Sequence, residues 1–218
     1  MSRYVDLTLT LRPSMRGIDW ESAATVENQG WNARLLHLYS HSGTHMDSPK
    51  HFNCGEQTID QIPLTDCISE AWVVNLTHLA PKALIEVADL GVIADQFKEG
   101  QSLLLHTGWS QHVDDADYYR SSFPRISEGL ANWCVEKKVC ALGVEPPSVA
   151  DVFNLEEVTK IHHLLLKGQV VIVEGLTALD QLTEKSVTFV ALPLKVQDGD
   201  GAPCRALAIE KGNLVDVA

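Results

Sequence analysis

An α/β fold built on a mixed sheet is predicted by three features of the chain. Short apolar runs that suit buried strands recur at residues 71–76, 139–144 and 169–174. Amphipathic stretches at 127–136 and 154–167 suit helices that interleave with those strands. No internal repeat or low-complexity linker interrupts them, so residues 1–218 read as one domain.

Taken in order, residues 4–11 alternate polar and apolar side chains and read as a strand. Residues 12–30 carry no clear period and read as a long loop, with Trp20 and Trp31 near its end. Residues 35–39 form a short strand, 81–90 a short helix, and 101–108 a strand ending in a turn. Ser127 has the chemistry of an N-cap for the helix that follows it. Residues 187–194 and 205–209 supply late strands. Strands outnumber helices, which favours a mixed sheet over a helical bundle.

Composition narrows the function classes. The chain has 17 basic and 29 acidic residues, a formal charge of -12, which opposes binding to nucleic acid or an anionic membrane surface. No apolar run approaches the roughly 18 residues of a membrane span. Five scattered cysteines without a Cys-x-x-Cys pair suit reduced thiols in a cytoplasm. The first residues lack the apolar core of a signal peptide.

The segment His41-Ser-Gly-Thr-His45-Met-Asp47-Ser-Pro-Lys-His51 is the densest in chemistry. Imidazole and carboxylate together suit a hydrolytic Zn2+ or Mn2+ site. A straight strand would separate His41 from His51 by roughly 33 Å. A helix would align His41 with His45 but turn Asp47 away. Gly43 and Pro49 favour bends, so the segment reads as a folded loop around a metal.

A second cluster follows. Asn154 and Glu157 have the spacing of a capping box, and Gly168 ends the helix. Leu155, Val158, His162 and Leu165 form an inward stripe, leaving Glu156, Thr159, Lys160, His163 and Lys167 toward water. A buried His162 needs a partner, either a backbone carbonyl or a metal. Glu174 closes the apolar run 170–173, where a carboxylate is costly unless paired or bound to an ion.

The pattern His-x-Gly-Thr-His-x-Asp-x-Pro-x-His, then a helical His with Glu twelve residues later, resembles the cyclase family of metal-dependent hydrolases. That family includes bacterial kynurenine formamidase and isatin hydrolase. Residues 104–109, 143–148 and 191–195 also resemble family segments, so the likeness runs nearly end to end. The resemblance implies a swivelling β/β/α domain and a homodimer or higher homo-oligomer. It implies His41, His45 and Asp47 as ligands of a first metal, with Asp47 bridging to a second held by His162 and Glu174. His51 matches the general acid/base. In the early loop, formamidases usually carry a Pro-x-Trp-Pro-Gly-Asp-like stretch, where this chain reads Pro13-Ser-Met-Arg-Gly-Ile-Asp-Trp20. Glu145 stands where Asp is more frequent. The implied activity is C–N bond hydrolysis in an aryl formamide, or lactam or lactone opening as on isatin. The substrate is then a small, aromatic molecule, with Trp20, Trp31 and Trp109 as pocket walls or core. A catalytically silent metal-binding protein is the rival, and His51, a base left over beside the ligands, speaks against it.

Overall fold

Val5, Leu7 and Leu9 are buried while Tyr4, Asp6 and Thr10 face outward, so the N-terminal alternation behaves as a strand edge packed on one side. A computed structural model describes residues 2–211; Met1 and residues 212–218 of the expected domain lie outside it. Its strands are β1 (Arg3–Asp6), β2 (Ile18–Ala24), β3 (Ala33–Leu38), β4 (His45–Asp47), β5 (Ile68–Asn75) and β6 (Leu84–Ile85). They continue as β7 (Ser102–His106), β8 (Arg125–Ile126), β9 (Ala141–Val144), β10 (Val171–Glu174), β11 (Ser186–Pro193) and β12 (Gly201–Glu210). Short helices α1 (Val26–Gln29), α2 (Leu64–Cys67), α3 (Ile93–Gln96) and α4 (Ala116–Ser121) precede the two longer ones, α5 (Glu128–Glu136) and α6 (Leu155–Lys167).

The main sheet runs β1-β12-β11-β5-β7-β9-β10-β4, and β4 pairs back onto β12. The sheet is thus mixed and closed into a barrel of seven strands, with β1 added outside on β12. The pairs β5–β7, β7–β9 and β9–β10 are parallel, and the others are antiparallel. Closure depends on the length of β12. Its first residues, Gly201 to Pro203, pair with β4, while Leu207 to Glu210 pair with β1.

Alternation along each strand separates two apolar layers. Val5, Leu7, Met46, Leu104, Val173 and Phe189 form one cluster inside the closed sheet. Leu103, Leu105, Leu142 and Ile172 form another against Leu130, Cys134, Ile161 and Leu165 of helices α5 and α6. Each such fully buried aliphatic side chain contributes about 1.5–3 kcal/mol. Ser127 caps α5 by accepting from Leu130 N at 3.1 Å, as its sequence context predicts.

Four local expectations need correction. Residues 12–30 are not all loop: β2 pairs antiparallel with β3 as a separate hairpin, with α1 at its turn. The period of β2 was hidden because only Ile18 of its seven residues is buried, so no buried face marks the strand. Residues 81–90 are not a helix: they form β6, which pairs with β8, and a single 3-10 turn. Asn154 does cap α6, accepting from Glu157 N at 3.1 Å, but Glu157 does not return the bond. Its carboxylate instead holds the Arg125 guanidinium at 2.6 Å and accepts from Asp151 N. Leu155 is 78% exposed; the buried face of α6 is Ile161, His162, Leu165 and Leu166.

Candidate metal centre

Strand β4 lies between β10 and β12, and its register builds the site. Asp47 faces Ile172 and Gly201, and His45 faces Glu174 and Pro203. His45 and Asp47 therefore share one face with Glu174, while Met46 between them is fully buried on the other. Helix α6 packs over that face and brings in His162, also buried. Two glycines permit the approach. A Cβ on Gly175 would lie 2.4 Å from Gly43 O, and one on Gly201 would lie 2.6 Å from the His41 ring.

The side chains of His41, His45, Asp47, His162 and Glu174 converge. His45 Nε2 is 3.2 Å from Glu174 Oε2 and 3.7 Å from Asp47 Oδ1. His162 Nε2 is 3.5 Å from Glu174 Oε1 and 3.6 Å from Asp47 Oδ2. His41 Nδ1 lies 2.8 Å from Asp47 Oδ1. Backbone carbonyls fix the tautomers. His45 donates from Nδ1 to Gly43 O at 3.1 Å and His162 from Nδ1 to Val158 O at 2.7 Å, leaving each Nε2 lone pair for the site. Of the two partners considered for His162, the backbone carbonyl is the one seen, at Nδ1, while Nε2 faces the carboxylates of Asp47 and Glu174. Glu174 is steadied by Val149 N at 2.8 Å.

His51 sits on the 3-10 turn Pro49–Phe52, with its ring stacked on that of His41 at 3.7 Å between centroids. Asp200 is the functional candidate that sequence reasoning missed. Its Oδ2 accepts from His41 Nε2 at 3.0 Å and lies 3.8 Å from His51 Nδ1. The available signal was the acidic, glycine-punctuated run Asp198-Gly-Asp-Gly201 just before a strand.

Burial and the shared carboxylates oppose one another throughout the cluster. Burial disfavours charge on His41, but Asp47 and then Asp200 outweigh it and raise its pKa to about 9. Burial also opposes charge on His45 and His162, and the Glu174 carboxylate raises both all the same. Glu174 itself is held well below the ordinary carboxylate range, its burial outweighed by His162 and His45. Burial moves His51 the other way, below its ordinary value, aided by the charges of His41 and His162 against the pull of Asp47.

Two groups have donor atoms within 4.8 Å of one another and share Asp47: His41–His45–Asp47 and Asp47–His162–Glu174. A third joins His41, His51 and Asp200. Asp47 Oδ2 is buried without a hydrogen-bond partner, an orphan that a bound cation would satisfy. Imidazole with carboxylate also suits Zn2+ or Mn2+ chemically. These residues fit a metal.

The Cyclase family model matches residues 5–151, more than half of the chain. The chain belongs to the cyclase family. A kynurenine formamidase of Erythrobacter litoralis is 32% identical, over 95% of this chain and 94% of its own length. One of Bacillus mycoides is 29% identical, over 94% and 97%. Isatin hydrolase A from Ralstonia solanacearum has the same fold, with a TM-score of 0.86 over 96% of this chain and 92% of its own at 23% identity.

The cleft leading to this cyclase-family centre is lined by Leu9, Met15, Arg16, Val113, Tyr119 and Arg120 with His41 and His45. The three tryptophans do not line it. Trp31 is exposed, Trp20 lies under Arg34 on the hairpin, and Trp109 is buried with Tyr119 and Phe123. His163, expected to face water, is half buried and bonded to Phe52 O at 3.0 Å.

Proposed function

We propose that this protein is a metal-dependent hydrolase of the C–N bond of an aryl formamide, with lactam opening as the same chemistry on a ring. The observation that carries the reading is the pair of ligand groups joined through Asp47, its orphaned oxygen buried, with His51 alongside. His41, His45 and Asp47 would hold one Zn2+ or Mn2+ ion, and Asp47, His162 and Glu174 a second. Bound there, such an ion supplies a water of lowered pKa and polarises the carbonyl.

The chain's own residues do the rest. His51, its pKa lowered by burial, is neutral near pH 7 and can accept the proton of the attacking water. The water oxygen bonds to the carbonyl carbon, the C–N bond breaks, and the same imidazole returns the proton to the leaving nitrogen. A formamide yields formate and an aryl amine; a lactam yields one ring-opened amino acid. His41 supports the His51 ring from one face, and Asp200 lies at the edge of both.

The closed mixed sheet is read as the swivelling β/β/α architecture, one domain over 1–218. Exposed Trp31, Leu35 and Leu36 on the β2–β3 hairpin favour a homo-oligomer. No helix of the described residues is long and apolar enough to cross a membrane, and the unpaired cysteines suit a cytoplasmic setting. The test is turnover of N-formylkynurenine, formanilide and isatin by protein of measured metal content, with and without chelator. Turnover that survives complete metal removal contradicts the reading.

A further inference from the structure

The cleft beside the metal centre carries two arginines that the chemistry above does not use. Most guanidinium groups of this chain have an evident occupation. Arg3, Arg12, Arg125 and Arg205 each hold a carboxylate, and Arg34 lies over Trp20. Arg16 rests over the Tyr39 ring at 5.2 Å, with its charge open to the cleft. Arg120, on α4, is half buried and has neither an ion pair nor a hydrogen bond among the described residues. Burial lowers its pKa, and the like charge of Arg16 adds to this, so the two cations feel one another. Among the described residues, no carboxylate is bonded to either of the two in the cleft that His41 and His45 also line; the attraction felt by Arg120 from a carboxylate is the through-space charge of Glu174. Arg12 is ion-paired with Asp114, tying the loop that carries Arg16 to the segment that leads into α4.

We propose that Arg120, assisted by Arg16, is a specificity-determining anion subsite that binds a carboxylate carried by the substrate away from the scissile bond. A half-buried guanidinium without a protein partner is costly, and a planar carboxylate matches its fork of donors. The favoured substrates are thus carboxylated aryl formamides, or lactams bearing such a group. The inference rests on the hydrolase reading for its substrate class, and its test separates the two.

N-formylanthranilate and formanilide form the probe pair. In Arg120→Gln the ratio of their kcat/KM values should fall by roughly 10- to 100-fold, the scale of one lost charge-assisted contact. Arg120→Lys, which keeps the charge but not the fork, should fall between, and guards against a folding defect. An unchanged ratio overturns the subsite, including the case where both substrates slow equally because Arg120 serves the reaction centre. If the wild type hydrolyses neither substrate, the hydrolase reading is left to N-formylkynurenine and isatin, and calorimetric titration with anthranilate decides the subsite alone. Binding weakened roughly tenfold or more in Arg120→Gln upholds it. Equal affinity, or no binding to the wild type, overturns it.

Discussion

His163 donates from Nε2 to the Phe52 carbonyl across 3.0 Å, tying helix α6 to the short turn that carries His51. His162, its neighbour, stacks on the Phe52 ring at 4.4 Å and points Nε2 at the carboxylate cluster. Adjacent histidines on one helix thus serve two ends of the same site.

The adjacent pair gives a separable prediction. His163→Ala removes one hydrogen bond, worth about 0.5–1.5 kcal/mol, and loosens the His51 turn. We expect a several-fold lower kcat with metal content retained. His162→Ala should instead lower the metal stoichiometry, read by elemental analysis. A His163→Ala protein with wild-type kcat would mean the Phe52 bond has no part in holding His51.

Loss of His51 should act on chemistry more than on metal. His51→Ala is expected to lower kcat by roughly 10²–10⁴-fold, the range for a positioned acid/base. His45→Ala, by contrast, removes a buried side chain whose Nε2 meets Glu174 at 3.2 Å and should strip metal and activity together. Equal and complete metal loss in both variants would make His51 a ligand, in line with its grouping with His41 and Asp200.

How much of this was legible in the sequence differs from residue to residue. His162 was placed correctly because a helical stripe depends on local spacing alone, and the 3.6-residue period carried it. The same period misplaced Leu155, which is 78% exposed at the first position of α6, where the stripe has not yet reached the core. That the His41 loop and Glu174 share a site came from the family resemblance. Its physical cause is the antiparallel register of β4 on β10, a contact 129 positions apart in the chain that no local pattern encodes. For Asp200 the acidic, glycine-punctuated run marks a turn but not its partner: the residue reaches His41 because β12 closes the barrel onto β4. Strand β3 was read from its sequence, but its partner β2 was missed because it is largely exposed, and period-2 reasoning detects strands best through a buried face.

Gly175 should tolerate no side chain. Its φ is +69°, and a Cβ there would meet Gly43 O at 2.4 Å, backbone that cannot swing aside. Gly175→Ala is expected to cost about 1–3 kcal/mol, the scale of a strained non-glycine backbone. The measurement is urea denaturation of metal-free protein. The change should also weaken metal affinity, because the turn it disturbs aligns Glu174 with His45. Wild-type stability in this variant would mean the two turns are not held in contact.

The metal-free centre should show a pH signature of two signs. Burial pushes His41 down, but Asp47 and Asp200 raise its pKa to about 9. A raised folded-state pKa contributes stability that is complete below the ordinary histidine value of about 6.5 and is lost as pH climbs through about 9. Glu174, held low by His162 and His45 against its burial, contributes in the opposite sense, above the ordinary carboxylate value and lost toward acid. Metal-free protein should therefore have its highest Tm in the mildly acidic range and lose heat resistance between about pH 6.5 and 9. Over that same window metal affinity should rise, because ligation requires the His41 proton to leave. Scanning calorimetry with and without chelator tests both halves, and the difference in Tm between loaded and metal-free protein should widen with pH. A metal-free Tm that climbs from pH 6.5 to 9 would show that the His41–Asp47 pair does not carry charge in the absence of the ion.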